Sequence, residues 1–117
     1  MSNSVYRVTE VIGVSPESWE AAALKRADLT LDDIDLIELN EAFACQVLAV
    51  LKGWGWNDPD RLNVNGSGIS LGHPIGATGA RLITTLLHEL ERSDKEVGFV
   101  TMCCGGGLGT GTLIQRV

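Results

Sequence analysis

A basic stripe is missing from this sequence of 117 residues: 9 Lys and Arg face 15 scattered Asp and Glu, leaving a formal charge of -6. A nucleic-acid backbone or an anionic membrane face requires clustered cations, so neither partner is indicated. There is no apolar run long enough to span a bilayer, and the first residues show no cationic stretch followed by an apolar one. The expectation is a soluble, cytoplasmic chain with no membrane span. Cysteine is scarce as well. The three present, at 45, 103 and 104, form no CxxC pair and have no suitably spaced histidine; this excludes a disulfide framework, argues against zinc or any other metal, and points to reduced thiols. The length suits one domain, 1–117, with a modest core.

What is present alternates between strand and helix patterns. Val5 to Ile12 is β-branched and ends at Gly13, which predicts a first strand. Ser15 and Pro16 form a helix start, N-cap then first turn, with Trp19, Ala22, Ala23 and Ala27 as its buried stripe. After a polar turn at Thr30 to Asp33, the run Ile34 to Leu39 reads as a central strand. Asn40 and Glu41 then lie where that strand hands over to a helix with Phe43, Val47, Val50, Leu51 and Trp54 at helical intervals. The carboxyl end of a parallel strand is the usual place for chemistry in an open α/β sheet. Leu62 to Asn65 predicts a third strand, Pro74 to Arg92 a long helix, and Val97 to Cys103 a fourth strand. The triple glycine at 105 to 107 predicts a tight loop into an antiparallel final strand, Thr110 to Val117. The fold class expected is therefore α/β, in the order β-α-β-α-β-α-β-β, with a five-stranded mixed sheet flanked by helices.

The chain is organised around Asn63 to Arg81, NVNGSGISLGHPIGATGAR. Glycines at 66, 68, 72, 76 and 79 give the backbone freedom around a single histidine, and the apolar positions Ile75, Leu82, Ile83, Leu86, Leu87 and Leu90 place His73 at the mouth of a helix. Free amides and the positive dipole end there favour a neutral imidazole and an anionic neighbour. A capping histidine in a strand-to-helix turn would carry the same pattern.

This segment closely resembles the histidine-bearing loop of the thiolases, and two more segments resemble that family in the same order: Asn40 to Ala44 (NEAFA) and Thr101 to Gly109 (TMCCGGGLG). The likeness runs from about Val5 to Val117 and covers the C-terminal half of a thiolase; the half carrying the cysteine that becomes acylated has no counterpart here. The resemblance implies that Cys103 is the acid/base cysteine. It makes His73 the residue that activates the nucleophile of the other half and helps bind the thioester oxygen. Asn40 becomes the amide holding a water in the enolate-stabilising oxyanion hole, and Gly105 the residue whose backbone N–H lines the second hole. Glu41 is a supporting or structural candidate. These types suit carbon–carbon bond chemistry on thioesters, where a weakly acidic α-proton needs a positioned base and donors aimed at the enolate oxygen.

The implied substrates are acyl-CoA or 3-ketoacyl-CoA, with the coenzyme A thioester as substrate and no bound cofactor. The implied partner is either a second copy, giving a homo-oligomer, or a thiolase N-terminal-half protein, since the third helix of the family normally lies between two sheets. Its far side here, Ala77, Thr84, Thr85 and His88, is small or polar enough for a close neighbour. The chain is not expected to be active alone. Cys104, Leu108, Cys45 and Asp28 depart from the family pattern, Asp28 standing where a glycine often closes the first helix. The stretch after Gly13 is shorter than in full thiolases, which puts coenzyme A contacts in doubt. The alternative is a non-catalytic assembly or acyl-thioester-binding module, or a truncated fragment.

Overall fold

The computed structural model describes residues 4–13 and 16–117, with the side chains of 9–21 outside that description. Its elements run β1 (Tyr6–Gly13), α1 (Pro16–Ala27), β2 (Leu36–Leu39), α2 (Ala44–Trp54), a single-turn α3 (Gly68–Leu71), α4 (Thr78–Ser93), β3 (Val97–Gly105) and β4 (Leu108–Arg116). Ser15 and the Trp19 side chain lie outside the described residues. The helix starts at Pro16 as the sequence requires.

One mixed sheet is ordered β1-β4-β3-β2. β3 and β4 form an antiparallel hairpin, β1 pairs antiparallel with β4, and β2 runs parallel to β3. Two apolar clusters cover its faces. Ala23, Leu24 and Val50 from α1 and α2 pack on Ile37, Leu39, Phe99 and Leu113. On the opposite face Leu82, Leu86 and Leu90 of α4 pack on Leu36, Val100 and Ile114. Alternate residues of β2, β3 and β4 thus feed opposite cores, as pleating demands. Each fully buried large apolar side chain contributes roughly 1.5–3 kcal/mol.

The sheet has four strands where five were expected. The segment Leu62 to Asn65 makes only one bridge, Leu62 beside Ile37, because Asn63 turns left-handed at φ 48°. Its side chain takes over the pairing. Asn63 Oδ1 accepts from the Leu39 N–H at 2.8 Å and its Nδ2 donates to the Leu39 carbonyl at 2.9 Å. The amide imitates one rung of a strand ladder.

The long helix also begins later than expected, at Thr78, because the Pro74 carbonyl accepts from the N–H groups of both Ala77 and Thr78 and closes a turn first. Ile75, placed in the apolar stripe by its spacing, falls in that turn and is 84% exposed. Of the far side of α4, Ala77, Thr84 and His88 are exposed and Thr85 is half-buried. That face is uncovered in the chain alone.

Asp28 closes α1 at φ 57°, and the Leu29 N–H reaches back to the Leu24 carbonyl at 3.0 Å. A left-handed C-terminal position favours glycine, and aspartate tolerates it at a cost. Asp28→Gly is expected to raise stability by a few tenths to about 1 kcal/mol, read as a higher midpoint in urea denaturation.

Candidate active site

Three loops meet at the end of β2. Asn40 follows the last residue of that strand, is fully buried, and is held by its N–H donating to the Thr101 carbonyl on β3 at 2.9 Å. Its Nδ2 lies 3.4 Å from His73 Nε2. The other ring nitrogen, Nδ1, lies 2.7 Å from the Thr78 hydroxyl oxygen. Thr78 spends its own proton on the Pro74 carbonyl at 3.0 Å, so its oxygen is left to accept. Nδ1 must therefore carry the proton, which leaves Nε2 of the neutral ring as an acceptor facing the Asn40 amide and the cleft. The tautomer follows from the hydroxyl's commitment.

Cys103 approaches the same place along β3. The register slips between Cys103 and Gly105, a bulge that interrupts the ladder at the strand's end. The three following glycines all take positive φ, at 81°, 60° and 79°, a run that residues with a side chain rarely sustain. His73, Cys103 and Gly105 line one apolar cleft of about 480 Å³ with Ala42, Phe43, Ile75, Met102 and Cys104. Phe43 at its rim is 70% exposed.

The loop carrying the histidine is tied to β2 by Ser67, which sequence spacing did not single out, and by Glu41, the supporting candidate named from the sequence. The Ser67 hydroxyl donates to the Leu39 carbonyl at 3.1 Å, and Ser67 is fully buried. Glu41 clamps both sides of the loop: Oε2 accepts from the Ile69 N–H at 2.9 Å and Oε1 from Asn63 Nδ2 at 3.2 Å. Gly68 lies so close to this corner that an added Cβ would sit 2.7 Å from the Glu41 carbonyl oxygen and 3.4 Å from Asn40 Oδ1. Thr78 was the other omission; a threonine five residues after the histidine was the only signal available.

The family model for the thiolase C-terminal domain matches residues 2–116. The chain belongs to the thiolase family. It is 51% identical over 107 residues to an acetyl-CoA acetyltransferase of Escherichia coli K12, covering 92% of this chain and 27% of that protein. A 3-ketoacyl-CoA thiolase of Acinetobacter baumannii strain AYE is 51% identical over 108 residues, covering 92% of this chain and 28% of that protein. The crystal structure of the Bacillus anthracis acetyl-CoA acetyltransferase superimposes with a TM-score of 0.86 at 43% identity, covering 97% of this chain and 31% of that one. The chain thus spans little more than a quarter of the length of these curated relatives.

Beneath the thiolase loops lies a buried carboxylate. Glu38 is 2% exposed on β2, and burial pushes its carboxyl up to about 7, with Arg81 opposing that rise and Glu41 and Glu89 adding to it. The folded chain then holds a proton on Glu38 that the unfolded chain releases near 4.5. The stability this group contributes is fully present below about pH 4.5 and is lost as pH rises through about 7, a swing of roughly 3 kcal/mol. Glu89 acts in the opposite sense, because hydrogen bonds from Arg92 and Asn65 hold its carboxyl below the usual range. Glu38→Gln is expected to abolish the fall in urea-denaturation stability between about pH 5 and about pH 8 while leaving the acid limb intact. No helix among the described residues is long and apolar enough to cross a membrane.

Proposed function

We propose that the chain is the C-terminal domain of a thiolase-type acyltransferase, acting on 3-ketoacyl-CoA by thiolytic cleavage or, in the opposite direction, on acyl-CoA by Claisen condensation. The observation that carries this reading is the meeting of His73 with Asn40 on one side and with Cys103 across one cleft. The printed names of the relatives, acetyl-CoA acetyltransferase and 3-ketoacyl-CoA thiolase, support it. Coenzyme A thioesters are substrates here. No resident cofactor or metal takes part in the steps assigned below, and a reduced, cytoplasmic compartment suits the free thiols.

The acylated cysteine lies outside these 117 residues, on a polypeptide segment that completes the cleft; the exposed Phe43 and Ile75 at the rim are the apolar surface such a segment covers. His73 Nε2, an acceptor in the resting tautomer, takes the proton of that thiol. The resulting imidazolium donates to the thioester oxygen. In the cleavage direction the thiolate adds to the 3-keto carbon, the bond between C2 and C3 breaks, and its electron pair moves onto the thioester as an enolate. Cys103 delivers its proton to C2 and the acetyl-CoA so formed leaves; the Cys103 thiolate then takes the proton of the incoming coenzyme A thiol, whose sulfur adds to the acyl group and expels the nucleophile's thiolate, which recovers its proton from His73. The enolate oxygen is stabilised by a water on Asn40 together with His73. The Gly105 N–H serves the second oxyanion hole, at the tetrahedral centre of the acyl-transfer step.

The test is reconstitution. The chain is mixed with the N-terminal part of a related thiolase, and cleavage of acetoacetyl thioester is measured. Coenzyme A-dependent cleavage by the mixture, with none from the chain alone, is the expected result. No activity in any mixture, together with unchanged stability on adding coenzyme A, would overturn the proposal and favour a non-catalytic module.

A further inference from the structure

The imidazole of His73 stands in a chain of polar groups, and each link of that chain has a direction. One end leaves no choice. The Pro74 carbonyl can only accept, and Thr78 Oγ1 lies 3.0 Å from it, so the hydroxyl hydrogen lies between them. A hydroxyl has one hydrogen. At 2.7 Å from His73 Nδ1 the same oxygen therefore accepts, and the ring donates. Nε2 is left with a lone pair to present to Asn40, whose Nδ2 stands 3.4 Å away. The order runs from amide to ring, from ring to hydroxyl, and from hydroxyl to carbonyl.

The orientation of the Asn40 side chain hangs on that chain. Asn40 is fully buried, and its Oδ1 has no hydrogen-bond partner among the described residues. The contact of Nδ2 with the ring is thus what distinguishes the two ends of the amide. Turning the amide over would set Oδ1 opposite Nε2, lone pair against lone pair, for as long as the ring proton stays on Nδ1. Thr78, the first residue of α4, is fully buried as well, so solvent does not compete for its hydroxyl. We infer that Thr78 is a positioning residue: its hydroxyl fixes the tautomer of His73 and, through the ring, the direction in which the Asn40 amide faces. Both settings serve the proposed reaction. An unprotonated Nε2 can take the thiol proton, and Nδ2 keeps a second hydrogen for the water that stabilises the enolate. With the opposite setting Nε2 already carries a proton, and the base is lost before substrate binds.

This inference deepens the reading of His73 given above and rests on it for its functional meaning, but its first test does not require activity. The 15N signals of the His73 ring and the side-chain amide signals of Asn40 are recorded on the 117-residue chain at about pH 8, above the ordinary range of histidine titration. His88, exposed on α4, is the reference ring. Wild type, T78S and T78V are compared. Wild type and T78S are expected to show the proton on Nδ1, an unprotonated Nε2 and the Asn40 amide hydrogens close to the ring. T78V keeps the shape of the side chain and removes the acceptor. It is expected to show the proton on Nε2, with the Asn40 amide turned so that Oδ1 accepts from it. In the enzyme completed by an N-terminal half, T78V is expected to lower kcat for acetoacetyl thioester cleavage by about 10²-fold with little change in KM, and T78S to restore it.

A wild-type ring protonated on Nε2 would overturn the inference whatever the variants do, so the test stands even where T78V fails to fold. Folded T78V with His73 and Asn40 signals as in wild type would also overturn it, since that result reduces Thr78 to packing. So would T78S behaving as T78V does, because the serine keeps the hydroxyl, or a raised KM with unchanged kcat, because a loosened loop explains it. A reconstituted mixture lacking thiolase activity while the spectra behave as expected would refute the proposed function and leave the role of Thr78 toward the ring standing.

Discussion

Cys103→Ala, made in the chain completed by an N-terminal half, is expected to lower cleavage of acetoacetyl thioester by about 10²–10⁴-fold, the range over which a positioned acid or base accelerates proton transfer. The loss should be selective. Transfer of an acetyl group from acetyl-CoA onto the nucleophile of the other half does not need a proton moved at carbon, so acylation is expected to persist, whereas exchange of the thioester α-protons with deuterated water is expected to vanish. The structural cost of the substitution is expected to be small, because Cys103 is half-buried at a bulged strand end and lines an open cleft. Equal loss of acylation and exchange, read by mass spectrometry, would show that Cys103 supports the fold of the cleft and moves no proton.

The second large effect comes from a residue with no side chain. Gly68→Ala is expected to destabilise the chain by about 1–3 kcal/mol, as overpacking in a close-fitting site does, and to depress activity of the completed enzyme by about 10²-fold, as a misplacement near 1 Å does. The added carbon would lie 2.7 Å from the Glu41 carbonyl oxygen, which is backbone and yields only by moving the corner. That corner carries Asn40. Its amide, now 3.4 Å from His73 Nε2, would be pushed away with it. Gly72→Ala provides the contrast, since an added carbon there meets nothing within 4 Å although the backbone stands at φ 93°. Its cost should be conformational strain alone, of order 1 kcal/mol. Equal stability and activity losses in the two variants, in urea titration and steady-state assay, would contradict the close-approach argument.

How much of this was legible in the sequence depended on whether a residue's role shows in periodicity. The α4 stripe of Leu82, Leu86 and Leu90 and the β3–β4 hairpin around three glycines were legible, because each repeats a signal that only one structure satisfies. The spacing of NEAFA, GHP and CCGGG also carried the meeting of Asn40, His73 and Cys103, through likeness to the thiolases. The fifth strand was misread because Leu62, Asn63 and Val64 look β-prone, whereas the Asn63 amide pairs with Leu39 by its side chain and lets the backbone turn away. Ile75 was misread because an apolar residue after Pro74 continues the helical count, yet the Pro74 carbonyl closes a turn first. Thr78 was illegible, since a buried hydroxyl committed to a histidine differs from a helix-surface threonine only in its surroundings. Glu38 and Arg81 were hidden in the same way. Charged residues in a strand and a helix read as solvent faces, and only the packing of α4 over β2 turns both of them inward.

The most direct measurement is a crystal structure of the chain completed by an N-terminal half and soaked with acetyl-CoA. The account predicts that the thioester lies in the cleft between His73 and Cys103, with its oxygen within about 3 Å of His73 Nε2 and its methyl carbon facing the Cys103 sulfur at near-attack distance. A thioester bound away from that cleft, or bound in it with Cys103 turned from the methyl carbon and His73 from the oxygen, would contradict it.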